Sequence, residues 1–119
     1  MGCRSDVILM IEKPLVGSFL TALNKCQQAF DMVFKEAEQE KSDNGDLLFR
    51  WEYIKWYQGY PEIDIIQNWM DSVDIFHEDH YSFHRLGEDF GDHESRGNSY
   101  AWTVCLNQYI NVESTSVSR

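Results

Sequence analysis

The residues that decide the fold are Val7-Ile-Leu-Met-Ile11, followed by Pro14 and Gly17, and then Leu15/Val16, Phe19/Leu20, Leu23, Cys26, Phe30, Val33/Phe34 and Ala37. A short apolar run that gives way to a three-to-four-residue period reads as a strand over 6–12 entering an amphipathic helix. Unbroken, that helix covers about six turns. Lys25, Gln27, Gln28, Asp31, Lys35, Glu36 and Glu38 fall mostly on its other side. It frays into Ser42-Asp-Asn-Gly-Asp46, where Gly45 can take a positive φ.

Leu47 to Tyr57 alternates, with Phe49, Trp51 and Tyr53 on one face and Arg50, Glu52, Ile54 and Trp56 on the other, as a half-buried strand does. Gly59-Tyr-Pro61 then breaks the chain, and a proline suits the first turn of a helix. Over 61–74 the apolar stripe is Ile63, Ile66, Met70 and Val73, with Ile65 and Trp69 beside it. Tyr81 to Leu86 and Tyr100 to Val112 read as two further strands, joined by a glycine-containing loop over 87–99. The order β-α-β-α-β-β gives the expectation of an α+β two-layer sandwich, a four-stranded sheet with a long and a short helix. One domain over 1–112 and a flexible Ser-rich tail over 113–119 complete it.

Apolar residues make up 43% of the chain, enough to offset chain entropy without a cofactor. Cys3, Cys26 and Cys105 are an odd number with no ligand spacing, which favours free thiols in a reducing cytoplasm. Glu12 and Lys13 cut off the first apolar run, so it is neither a signal-peptide core nor a membrane span. Asp6 stands where the myristoylation pattern wants Ser or Thr.

Charge is the strongest functional signal. Residues 59–94 hold ten carboxylates against one cation, Arg85, so nine of the ten net negative charges lie in less than a third of the chain. A field segregated in this way attracts basic surfaces and repels nucleic acid. Asp64, Asp71 and Asp74 lie near one line of the second helix with no Lys or Arg at i+4, and Glu78, Asp79, Glu88, Asp89, Asp92 and Glu94 extend the run. A solvated acidic helix face is the ordinary reading of such a line. The sharper one is an interface that competes with phosphates for a partner's Arg and Lys. Trp56, Tyr57 and Tyr60 border the region, and aromatics beside carboxylates are natural interface anchors. Phe90 is a lone aromatic in the polar 87–99 loop.

His77, His80, His84 and His93 raise a metal site, but the His-Glu-x-x-His spacing fails by one residue and no cysteine completes a zinc knuckle. Gly-x-Ser-x-Gly and phosphate-binding glycine loops are missing, so no nucleophile sits in an activating motif and an enzyme is the minority reading. An aromatic base-stacking platform conflicts with the acidic surroundings.

The sequence therefore leads to a small acidic cytoplasmic inhibitor or immunity-type protein without cofactor, catalytic residues or bound metal. Phage counter-defence proteins (anti-CRISPR, anti-restriction) and toxin antidotes are of this physical type. Its partner is a basic nucleic-acid-binding protein whose nucleic-acid site it blocks, with no direct nucleic acid and no membrane. The contact residues are Asp64, Asp71, Asp74, Glu88, Asp89, Phe90, Asp92, Trp56 and Tyr60. A homodimer through exposed aromatics is compatible with this. The alternative is a divalent-metal or small-ligand domain using the His77 to His93 cluster.

Overall fold

The computed structural model describes residues 4–57, 59–75, 80–88 and 92–97, and the backbone of 102–106 and 110–114. The fold is α+β. A five-stranded antiparallel sheet has the order β2-β3-β1-β4-β5, with β1 Ser5–Ile11, β2 Glu38–Lys41, β3 Leu47–Ile54, β4 Tyr81–Gly87 and β5 His93–Gly97. Helices α1 Lys13–Leu23, α2 Gln27–Asp31 and α3 Pro61–Asp74 contribute to the main core, and β6 Trp102–Leu106 pairs with β7 Ile110–Ser114 as a separate hairpin.

β1 is central because it is apolar on both sides. Val7, Leu9 and Ile11 join Phe19, Phe49, Ile66, Met70 and Phe83 in the helix-side core, whereas Ile8 and Met10 belong to the opposite face and are also buried. Both edges of β1 are already paired with β3 and β4, yet β7 lies against β1.

Three further expectations are corrected. The single long helix is two helices: Cys26 adopts an extended conformation between them, and α2 runs on into a π-helical turn, Met32–Glu36. Leu23, Ala29 and Val33 still reach one core, because the break keeps the apolar positions facing the same way. The expected four-stranded sheet loses its last strand to the β6–β7 hairpin and gains β2, whose residues are all exposed, and β5, made of polar residues and glycine, to reach five. Ser42–Asp46 is therefore a hairpin turn, closed by Ser42 N–H to Asp46 O (2.9 Å) with Gly45 at φ +92°. Finally, five residues of the expected 87–99 loop, His93–Gly97, form the strand β5, which pairs back onto β4 with Glu94 opposite Arg85, and the expected strand 100–112 is divided between the paired strands β6 and β7.

The alternation of β3 also slips at its end. Tyr53 has φ +58° and two residues of β3 face Asp6 in a bulge, so Tyr53 turns outward at 64% exposure while Ile54 and Trp56 turn into the core. Asp6 Oδ1 accepts the Tyr53 N–H (2.9 Å), and Arg4 donates to the Tyr53 carbonyl with its guanidinium 5.0 Å from the ring centre. These contacts hold a backbone conformation that is costly for an aromatic residue.

α3 has the bounds expected from sequence. Pro61 opens it, Glu62 and Asp64 favour the positive end of its dipole, and Ile63, Ile66, Trp69, Met70 and Val73 are buried. No helix among the described residues is long and apolar enough to cross a membrane.

Candidate functional site

The acidic face of α3 is answered by a cation from far along the chain. Arg96 of β5 reaches across to α3, donating through Nη1 to Gln67 Oε1 (3.0 Å) and through Nη2 to Asp71 Oδ1 and Asp74 Oδ2 (2.7 Å each). Asp74 also accepts the hydroxyl of buried Tyr81. Burial opposes ionisation of Asp74, but the bonds from Arg96 and Tyr81 outweigh it and hold its carboxyl below the usual range. Burial and the Asp74 carboxylate push the Tyr81 phenol upward. The tertiary fold thus supplies the pairing that no i+4 residue supplies, and Asp71 and Asp74 are not the unpaired carboxylates the sequence suggested.

A second arginine does the same on the β4–β5 hairpin. Arg85 donates through Nη2 to Asp92 Oδ1 (2.9 Å), through Nε to Glu94 Oε1 (3.4 Å) and through Nη1 to Ser5 Oγ (3.1 Å). The Arg85 hydrogen bond lowers Asp92, and Asp92 and Glu94 raise Arg85 against the effect of its burial. Each cluster holds one guanidinium and two carboxylates, so each keeps one net negative charge.

Beside the Arg85 cluster lies a cavity of about 370 Å³, lined by Arg85, Asp92, Glu94 and Ser5 and by Trp56, Tyr57 and Gln67. Gln67 also accepts from Arg96. Trp56 is 6% exposed, and its rings pack at a tilt against Trp51 and Phe83, 5.5 Å from each. Its indole N–H is buried without an acceptor among the described residues.

The remaining predicted contacts are scattered. Asp64 accepts the Gly59 N–H (2.8 Å) ahead of α3, and Glu88 accepts the Arg4 N–H (3.0 Å). Tyr60 is exposed, packs edge-on to Tyr57 and lines a second cavity with Arg4, Asp31 and Lys55. Trp56 is a core residue on a cavity wall, not the surface anchor expected, because the β3 bulge turns it inward. Asp89 and Phe90 lie outside the described residues. The site thus joins Asp71, Asp74 and Asp92 through residues the sequence reading did not select: Arg85, Arg96, Gln67 and Ser5. Arg85 was the available signal, being the one cation within the acidic stretch.

The three described histidines do not converge. His80 pairs with Glu12 (3.1 Å) just before β4, His84 pairs with Ser95 (3.0 Å) within the sheet, and His93 sits opposite Leu86 near its far end. His77 lies outside the described residues, among which no group of three His, Cys, Asp or Glu is placed to hold a metal ion. Cys26 is a half-buried free thiol whose Sγ lies 3.3 Å from Gln28 Oε1, rather than a fully buried one. No protein-family model, curated protein or solved structure matches the chain.

Proposed function

We propose that this chain is a small acidic binding protein of the inhibitor or immunity type, which acts in the cytoplasm by covering the cationic surface of a nucleic-acid-handling protein. The observation that carries this reading is the pair of two-carboxylate, one-arginine clusters. Carboxylates already fixed by an internal arginine lose little side-chain entropy when a partner's Arg or Lys arrives, and each cluster still carries excess negative charge. Asp71 illustrates this, being ion-paired yet 67% exposed at its side chain. The surrounding negative field speeds encounter with a basic surface and keeps nucleic acid away. Counter-defence against a nuclease and neutralisation of a nucleic-acid-cleaving toxin are two forms of this one activity.

The test is affinity capture from lysate of the cell in which the partner acts, comparing the parent with Glu62→Gln/Asp71→Asn/Glu88→Gln. These three positions lie outside the cavity lining. The parent should retain nucleic-acid-binding proteins at low salt and release them at about 0.5 M, where the screening length falls to a few ångströms. The variant should retain much less. Equal retention by a folded variant at low salt would sink the proposal.

A further inference from the structure

We infer that the second cavity, beside Tyr60, is a binding site for a free α-amino acid with a large apolar side chain, held by both of its charges. The site shares no lining residue with the Arg85 cavity, and the inference does not depend on the proposed partner.

A volume of about 380 Å³ suits a ligand of this size. The charges that line it are sorted by origin. Arg4 and Lys55, just beyond the Ser5–Ile54 pair, bring two cations from the ends of β1 and β3. Asp31, Glu36 and Glu62 bring three carboxylates from α2, the π-helical turn and the first turn of α3. Lys55, Glu36 and Glu62 make no hydrogen bond or ion pair among the described residues, although all three border one cavity. A simple anion there would meet the carboxylates, and a simple cation the two basic groups. A ligand carrying a carboxylate and an ammonium group on one carbon answers both sets at once. The Arg4 guanidinium donates to the Tyr53 carbonyl through Nη1 and has further N–H donors to offer a carboxylate. Met32, Ile54 and Tyr60 supply apolar surface for the side chain.

The backbone gives an observation independent of charge. Two irregularities that cost stability border this cavity, and each places lining residues. Regular alternation would set Ile54 with Arg50 and Glu52 on the other face of the sheet, but the β3 bulge, with Tyr53 at φ +58°, turns it toward the helices. In an α-helix Glu36 would lie well round the axis from Asp31. The i→i+5 bonding of the Met32–Glu36 turn brings the two carboxylates onto one side. Bulged helical turns and strained residues are concentrated at functional sites, and here both kinds flank the same cavity.

The experiment is a titration of the ¹⁵N-labelled full chain with L-phenylalanine, followed by backbone NMR. N-acetyl-L-phenylalanine, which lacks the ammonium group, and L-phenylalaninamide, which lacks the carboxylate, are the comparison probes. L-phenylalanine should shift the Lys55 and Glu62 signals saturably and bind roughly fivefold or more tightly than either comparison probe. Lys55→Gln and Glu36→Gln should each weaken that binding by roughly threefold or more. Melting temperatures should stay near the parent's, since neither side chain has a partner to lose among the described residues. Lys55→Gln should narrow the advantage over L-phenylalaninamide, and Glu36→Gln the advantage over N-acetyl-L-phenylalanine. The two variants check one another should either fail to fold. The inference is overturned if the signals do not shift saturably, if either comparison probe binds as tightly as L-phenylalanine, or if the folded variants bind it as the parent does.

Discussion

Arg96 and Arg85 sit on neighbouring strands, each between two carboxylates, yet they differ in what they join. Arg96 ties β5 to α3, an edge strand to a helix more than twenty residues away, and one of its acceptors also receives the hydroxyl of a fully buried tyrosine. Arg85 bonds within the strands β1, β4 and β5 that the backbone ladder already holds together, and at the start of β5. The same charge composition therefore does two jobs. One cluster fixes an element that has little apolar surface of its own, and the other borders a cavity on strands already held by their backbone ladder.

The largest effect that could break this comparison is on stability. Arg96→Met should destabilise the protein by about 2 kcal/mol, mostly through half-buried Asp74 and its bond to buried Tyr81, since the exposed Asp71 bond adds little. Thermal melts should show a drop of roughly 5–10 °C; a loss below about 2 °C would mean that β5 does not need the clamp. The next effect is in acid. Because the folded Asp74 carboxyl lies below its ordinary value, its contribution is complete above the unfolded value of about 3.9 and disappears as pH falls through the folded one. The gap in melting temperature between parent and Arg96→Met should therefore narrow below about pH 4, and a constant gap would contradict the assignment.

Arg85→Met should lower stability by less than about 1 kcal/mol, since its partners remain more than a third exposed. Thermal melts check this: a loss as large as that of Arg96→Met would show that the two arginines hold the fold alike. The smallest effect belongs to His84, whose pKa is pushed down by burial. The unfolded chain then takes up the proton first, so stability falls as pH drops below about 6.5 and levels once the folded group titrates. His84→Asn should flatten that slope, a change of no more than about 2 °C in melts between pH 7 and 5.

What was legible in the sequence follows the same division. β1, α3 and β4 were readable because each buries an apolar pattern against the core, and α3 begins and ends where its proline and its stripe place it. The break at Cys26 was not readable, since a chain break that preserves apolar phase leaves the periodicity intact and no Gly or Pro marks it. β2 and β5 were missed because Glu38-Gln-Glu-Lys41 and His93-Glu-Ser-Arg-Gly97 have almost no apolar content, and an edge strand can be held by backbone bonds and ion pairs alone. The carboxylates of the candidate site were visible as composition. Their pairing was not, because Arg96 lies outside the acidic stretch and reaches it only through the β4–β5 register.

The central position of β1 has a consequence for the order in which the chain is made. β1, the most apolar strand of the sheet, leaves the ribosome before both of its neighbours, which are supplied by residues 47–54 and 81–87. At typical elongation rates Val7–Ile11 waits on the order of ten seconds for both edges to be covered, and longer for the β7 side. Its contacts are also far apart in sequence, which slows the search for them. The early lifetime of this protein is thus spent with its stickiest segment unpaired, and its yield in a cell should depend more on what shields that segment than on the stability of the finished fold.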